Sequence, residues 1–137
     1  MVKQQKMKKR GYTLVEILMA VAILGMIAAI VVPRFNSQIK YSGTNKTKAN
    51  LETLRTAVRL FYEQEGIWPN NSLSNLISGA PSGYQYLPVI PSEGVKNKNN
   101  VLNIPDYSGG WVWETTTHTL RPDLPGTDAN GAPYSSY

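Results

Sequence analysis

Residues 7–33 of the chain read MKKRGYTLVEILMAVAILGMIAAIVVP, a short basic segment followed by a glycine and a long apolar run. From residue 12 to residue 32 there are 21 residues, and Glu16 is the only charged one. A helix of this length reaches about 31 Å, the thickness of the hydrocarbon core of a bilayer. A carboxylate inside such a helix is costly unless a cation neutralises it. The sequence therefore predicts a membrane helix whose Glu16 meets a cationic partner.

The leader before this helix carries five cations and no acid, at positions 3, 6, 8, 9 and 10. Positive charges remain on the cytoplasmic side of a membrane, so we expect a single-pass protein with a cytoplasmic amino end. Cleavage after Gly11 would remove the charges, keep the helix and create a new amine on Tyr12. In a staggered helical bundle, Glu16 of one copy could meet the Tyr12 amine of its neighbour. The sequence thus predicts processing at Gly11 and Tyr12, and assembly through Tyr12 and Glu16.

Residues 10–16, RGYTLVE, the apolar helix and residues 33–35, PRF, resemble the processing region of type IV pilins and type II secretion pseudopilins. The resemblance implies that a prepilin peptidase cuts after Gly11, that the new amine is methylated and that Glu16 is the assembly residue. The implied partners are further copies in a helical filament, an inner-membrane assembly platform and, before assembly, membrane lipid. The implied location is the bacterial inner membrane, then a periplasmic or extracellular filament. One departure is Tyr12, where the family usually has phenylalanine.

Two residues inside the apolar run bear on how such helices would pack. Gly25 has two interpretations that stay open: a small surface for close packing, or a weak point that loosens when subunits assemble. Pro33 removes a backbone donor and clashes with the preceding turn, so a kink is expected there. We therefore include Gly25 and Pro33 in the predicted assembly site.

The positive net charge of the chain comes from the leader. The whole chain has 14 Lys and Arg against 9 Asp and Glu, a net charge of +5. Without the five leader cations, 9 basic residues face 9 acidic ones, and the remainder is neutral. A modest basic cluster stays at Lys46, Lys48, Arg55 and Arg59. We interpret it as a solvated or subunit-facing stripe, so nucleic acid is not an expected partner.

The expected fold is α+β, with a long N-terminal α-helix packed on a small antiparallel β-sheet head. Its parts are a cleaved leader (1–11), a transmembrane and assembly helix (12–33), an amphipathic helix half (34–65) and a globular head (66–137). An apolar stripe defines the amphipathic half, because Leu51, Leu54, Val58 and Phe61 recur at spacings of three and four. A local loosening is expected at residues 42–45, and Gly66 with Pro69 should end the helix.

The head should combine a short helix, loops and a β-hairpin. Residues 72–77 are expected as a helix capped by Ser72, and residues 101–104 as a short strand. Residues 109–115 alternate between apolar and polar, and residues 119–121 can return beside them as a hairpin. Trp111 and Trp113 fall on one face of this hairpin and should lie in the core or in a subunit contact. The aromatic residue in Gly66-Ile67-Trp68-Pro69 is expected to plug the end of the helix.

Catalysis is not expected, because the chain has one histidine, His118, and no cysteine. A nucleophilic triad or a zinc site needs more partners than these. The absence of cysteine also excludes a disulfide. The candidate metal ligands are Asp123, Asp128 and Asn130, whose oxygens could hold calcium, as in the calcium loop of major pseudopilins. An ordinary turn is the preferred interpretation of this segment, and no other cofactor is predicted.

The sequence therefore predicts a non-enzymatic structural subunit of a type IV pilus-like filament. The cysteine-free head and the calcium alternative favour a secretion-type pseudopilin. The first alternative is a major or minor pilin of a surface pilus used for adhesion, motility or DNA uptake. The second is a membrane-anchored binding protein that never polymerises.

Overall fold

The computed structural model describes residues 11–137, apart from the side chains of Pro33, Asn36 and Ser37. The predictions for the leader cations at positions 3–10 therefore lie outside the described residues. The elements are an α-helix, α1 (Leu14–Glu65), and three strands, β1 (Val101–Leu102), β2 (Trp111–Glu114) and β3 (Thr119–Pro122). Two single 3-10 turns lie at Ser74–Leu76 and Tyr134–Ser136. The chain divides into two units, one ending at Asn36 and the other running from Ser37 to Tyr137.

The described part of the first unit contains the apolar part of α1. Leu14–Val32 forms a stretch of 19 residues with a mean hydropathy of 2.8, long and apolar enough to cross a membrane. None of this stretch is buried within the chain. An apolar surface of this extent marks contact with lipid or with another protein.

The second unit is built on the amphipathic part of α1. The predicted stripe is confirmed, because Leu51, Leu54, Val58 and Phe61 are all buried, none more than 4% exposed. Ala57 of α1 also belongs to the core. The remaining core residues come from the loops and the sheet, and they are Leu73, Leu76, Ala80, Leu87, Ile90, Trp111, Trp113 and Leu120. Each large apolar side chain buried in this way stabilises the fold by roughly 1.5–3 kcal/mol.

The sheet has the order β1-β2-β3 and is mixed, which corrects the expectation of an antiparallel sheet. The predicted hairpin is present: β2 and β3 pair antiparallel, with Trp113 opposite Leu120. β1 pairs parallel with β2, with Val101 opposite Trp111. The direction of β1 depends on the path of the loop at residues 103–110, and alternation within a strand carries no information on that path. Both tryptophans are in the core, and Nε1 of Trp111 donates to the carbonyl of Pro91 over 2.7 Å.

The expected loosening at residues 42–45 is wrong, because α1 continues through them and a loop packs closely there. A Cβ built on Gly94 would lie 2.2 Å from the carbonyl oxygen of Gly43. The fully buried Thr47 fastens this contact: its hydroxyl donates to Gly43 O over 2.9 Å and accepts the Gly94 N–H over 2.8 Å. The glycines at 43 and 94 therefore serve a close approach between helix and loop.

The end of α1 agrees with its prediction, while the two segments that follow differ from theirs. α1 ends at Glu65, and Gly66 adopts a left-handed φ of 70° with its N–H bonded to Tyr62 O. The helix expected at residues 72–77 is reduced to one 3-10 turn. Leu73 takes its N-cap position without a side-chain cap, so Ser72 is not the cap. Trp68 does not plug a buried junction but stacks on the surface, with its ring 4.1 Å from that of Tyr62.

Candidate assembly site

The start of α1 is closed by a reciprocal pair of hydrogen bonds between Thr13 and Glu16. The Glu16 N–H donates to Thr13 Oγ1 over 3.2 Å. In return, Glu16 Oε2 accepts the Thr13 N–H over 2.7 Å and the Thr13 hydroxyl over 2.9 Å. This arrangement is a capping box, which satisfies backbone donors that the first turn of a helix leaves free. The acid singled out in the sequence thus holds the first turn of its own helix.

The two oxygens of Glu16 are used unequally. Both of the bonds that the carboxylate accepts go to Oε2, and within residues 11–137 none reaches Oε1. Tyr12, the residue after the predicted cleavage point, is 84% exposed and lies one residue before the cap. The geometry therefore leaves Oε1 of Glu16 and the residue Tyr12 accessible to another molecule.

The two other predicted assembly residues also lie in α1. Among the described residues, nothing within 4 Å would meet a Cβ built on Gly25, so packing against them does not require a glycine there. The backbone at Pro33 belongs to α1, while the side chain is outside the described part of the structure.

The candidate metal ligands are engaged in hydrogen bonds of their own. Asp128 is buried, and its Oδ1 accepts the N–H groups of Asn130 and Ala132 over 2.7 and 2.9 Å. Its Oδ2 accepts the ammonium of Lys48 over 3.1 Å and the hydroxyl of Tyr137 over 2.5 Å. The Tyr137 hydroxyl, followed by Lys48 and the two backbone N–H groups, holds the pKa of Asp128 well below its usual range.

Asp123 belongs to a different loop contact. Its two oxygens accept the N–H groups of Tyr107 and Ser108 over 3.0 and 3.1 Å. Burial, together with the neighbouring Asp106, raises the pKa of Asp123. In the described part of the chain, no three or more His, Cys, Asp or Glu side chains are grouped so that they could hold a metal. The arrangement of Asp128 and Asn130 is that of a hydrogen-bonded turn.

Several residues with clear structural roles were not identified from the sequence. Thr13 could have been found, because Thr-x-x-Glu before an apolar run is the signature of a capping box. Glu93 is fully buried, and its carboxylate accepts the N–H groups of residues 95, 96 and 98. No local pattern indicates this role or the pairing of Lys48 with Asp128. His118 is exposed, and its ring stacks on that of Trp68 with centroids 4.1 Å apart.

Comparison with known proteins identifies the amino-terminal region. Residues 6–32 match the family model of the prokaryotic N-terminal methylation motif. This range contains Gly11, Tyr12, Glu16 and Gly25. No solved structure matches the chain significantly.

Curated relatives extend the similarity beyond the motif. The fimbrial protein EcpC of Eikenella corrodens is 23% identical, over 93% of this chain and 95% of its own length. The type IV major pilin protein PilE1 of Neisseria gonorrhoeae is 28% identical, over 74% of this chain and 60% of its own length. The type IV major pilin protein PilA of Myxococcus xanthus is 35% identical, over 54% of this chain and 33% of its own length. The chain thus spans one relative almost entirely and much less of the others.

An exposed apolar helix with an acidic capping box, followed by an α+β head, fits a membrane-anchored, pilin-like class of protein. The methylation motif and the relatives together support the type IV pilin superfamily as the family of this chain. The chain is thus similar to type IV pilins, and this similarity supports a pilin-like structural subunit.

Proposed function

We propose that the chain is a non-enzymatic subunit that polymerises into a filament through residues 12–33. The single observation that carries the proposal is the segment Leu14–Val32. It is unburied, and it is apolar except for one carboxylate near its start. Lipid can cover such a surface before assembly, and the same segments of neighbouring copies can cover it afterwards. The named relatives, which are fimbrial and pilin proteins, support this proposal.

Pairing between copies would use Oε1 of Glu16, the carboxylate oxygen that the capping box leaves free. After cleavage between Gly11 and Tyr12, the new amine of one copy would meet Oε1 of Glu16 in its neighbour. Oε2 would continue to hold Thr13. A charge-assisted hydrogen bond of this kind is short and strong in apolar surroundings. Gly25 would allow close contact between the helices, and Pro33 would set the direction in which each helix leaves the bundle.

The proposed life cycle follows from the same segment. The leader cations keep the amino end cytoplasmic in the inner membrane, where a prepilin peptidase cuts after Gly11 and the new amine is methylated. An assembly platform in that membrane then moves each subunit from lipid into a growing helical filament in the periplasm or outside the cell. Nucleic acid is not needed at any of these steps.

A surface pilus and a secretion pseudopilus are both consistent with this mechanism. The names of the relatives favour a surface pilus, which we adopt as the first candidate. A calcium loop would favour a pseudopilus, but Asp128 of that loop already accepts hydrogen bonds from Lys48 and Tyr137. Deletion of the gene separates the two roles. Loss of surface filaments with normal export of proteins supports a pilus, whereas retained filaments with failed export support a pseudopilus.

The assembly proposal is tested by comparing Glu16→Ala with Glu63→Ala in the native cell. Glu63 is an exposed carboxylate on the same helix, beyond the apolar segment. We expect Glu16→Ala to be cleaved normally and to yield few sheared filaments, while Glu63→Ala yields the normal amount. Normal yield from Glu16→Ala would contradict the proposed pairing.

The processing step is checked by the mass of the subunit. A mature protein that begins with methylated Tyr12 is expected. A different first residue would remove the proposed cation from the pair. Processed protein that stays monomeric in the membrane would favour the alternative of an anchored binding protein.

A further inference from the structure

A cleft of about 420 Å³ opens between the second part of α1, the β2–β3 hairpin and the carboxy-terminal residues. It lies within the unit that runs from Ser37 to Tyr137. Its volume falls in the range of pockets that take small molecules. None of the residues proposed for assembly lines it.

The walls of this cleft carry three arginines, Arg55 and Arg59 from α1 and Arg121 from β3. No aspartate or glutamate lines the cleft. Arg55 is held in place, because its guanidinium donates to the carbonyl of Leu120 over 3.0 Å and to Glu52 over 2.9 Å. Arg59 and Arg121 have no side-chain hydrogen bond or ion pair to any residue from 11 to 137. Two arginines without a described side-chain partner therefore line a space to which the described residues bring no aspartate or glutamate.

Stacked aromatic groups form another part of the wall. The ring of Trp68 is stacked between those of Tyr62 and His118, each with a centroid separation of 4.1 Å. His118 holds a left-handed φ of 54° in the turn of the hairpin, a conformation that few residues other than glycine adopt. Trp113 also lines the cleft, and its buried Nε1 has no hydrogen-bond partner within the described structure. A buried indole N–H without a partner is unusual, because leaving a donor unsatisfied is costly.

We propose that this cleft binds a polar small molecule through an oxyanion, either a carboxylate or a phosphate. Guanidinium groups are suited to both, because their planar donors match two oxygens at once. The fixed Arg55 and the stacked rings hold the site in shape before binding, which reduces the entropy that binding would cost. The proposal is independent of filament formation, since it concerns residues outside the assembly segment.

The test uses the full-length protein solubilised in detergent micelles. Glucuronate, glucose 6-phosphate and glucose are titrated separately, and binding is measured by calorimetry and by the fluorescence of the tryptophans. The three probes share a sugar ring and differ in whether they carry a carboxylate, a phosphate or neither. We expect saturable binding of at least one acidic probe, weakened by added salt, and none of glucose. The acid that binds more tightly assigns the oxyanion as carboxylate or phosphate.

Variants locate the binding in the cleft. Arg59→Gln and Arg121→Gln should each weaken binding at least tenfold without changing the circular dichroism of the fold. Lys98→Gln removes the same charge from an exposed residue that does not line the cleft, and it should bind as the unchanged protein does. The proposal is overturned if neither acid binds, if glucose binds equally well, or if the arginine variants bind normally. An equal loss in Lys98→Gln would also overturn it, because net charge alone would then explain the binding.

Discussion

Lys48 and Asp128 are 80 residues apart in the chain and form an ion pair with 3.1 Å between Nζ and Oδ2. The side chain of Asp128 is completely buried, while that of Lys48 is 46% exposed. The ammonium of Lys48 also lies 4.7 Å from the ring centroid of Tyr137, at a cation–π distance. In a chain without cysteine, this network ties the carboxy-terminal loop to α1.

The first prediction concerns the pH dependence of this network. The hydroxyl of Tyr137 and the ammonium of Lys48 lower the pKa of Asp128 in the folded protein. A carboxylate with a depressed folded pKa stabilises the fold above its unfolded pKa of about 3.9, and this stabilisation is lost as the pH falls further. At neutral pH, Asp128→Asn should therefore melt several degrees below the unchanged protein.

The difference in melting temperature between these two proteins should shrink as the pH falls below about 4, because Asp128 is then progressively protonated in the unfolded chain while it stays ionised in the folded one. Thermal melting of both full-length proteins in detergent, followed by circular dichroism, measures this difference in melting temperature at each pH. Glu114→Gln, at a half-buried position in β2, serves as the control and should show no comparable change. A difference that stays constant down to about pH 2 would show that Asp128 acts by packing and not through its charge.

The second prediction concerns calcium. Both oxygens of Asp128 already accept two hydrogen bonds each, and Asp123 is bonded to a different loop. Calcium requires six to eight oxygens, which these residues do not offer together. The melting temperature should therefore be the same with calcium and with a chelator. A higher melting temperature in calcium would support the calcium loop instead.

The third prediction concerns the contact between Gly94 and α1. In Gly94→Ala the new Cβ would lie 2.2 Å from Gly43 O and 2.8 Å from Cβ of Lys46, so the loop must move away from the helix. Overpacking of this kind costs about 1–3 kcal/mol, and denaturant unfolding should show a loss in that range. Gly25→Ala is the control, because nothing lies within 4 Å of its Cβ, and it should leave the stability of the head unchanged. Equal stability of Gly94→Ala would mean that the loop does not pack as described.

The fourth prediction concerns the capping box. Thr13→Val keeps the shape of the side chain but removes the hydroxyl that Glu16 bonds. Loss of an N-cap costs about 1 kcal/mol, so the first turn of α1 should open more often. Hydrogen exchange of the Glu16 N–H should be about fivefold faster, since that cost shifts the opening equilibrium accordingly. Thr13→Ser retains the hydroxyl, so its Glu16 N–H should exchange at the normal rate. If the Glu16 N–H of Thr13→Val exchanges as slowly as that of the unchanged protein, the cap is ruled out.

The helix and the hairpin could be predicted because their signals are local. The apolar run of residues 12–32 and the spacing from Leu51 to Phe61 repeat with the helical period, which arises from the geometry of a single element. The alternation in residues 109–115 is the corresponding signal for a strand. The acid and the glycine of the amino-terminal motif could also be found in this way, since they stand within a few residues of each other.

The short elements of the head could not be placed as well. The predicted cap at Ser72 is wrong, because Leu73 is buried in the core and adopts a left-handed φ of 55°. The local preference of the segment does not predict this conformation. β1 was located, but its parallel direction was not, because its pairing with β2 depends on the loop between them. In both cases tertiary packing outweighs the preference of the segment.

The amino-acid order alone settles where the long helix lies, which of its faces is apolar and where a single acid interrupts it, because helix period and charge are properties of neighbouring residues. Only the folded chain decides that Lys48 meets Asp128, that Gly43 touches Gly94 and that arginines from a helix and a strand share a cleft with a stacked Trp68. These groups are far apart in sequence, and they meet because burying the core side chains of Leu54, Phe61 and Trp113 together leaves the surrounding loops one compatible arrangement.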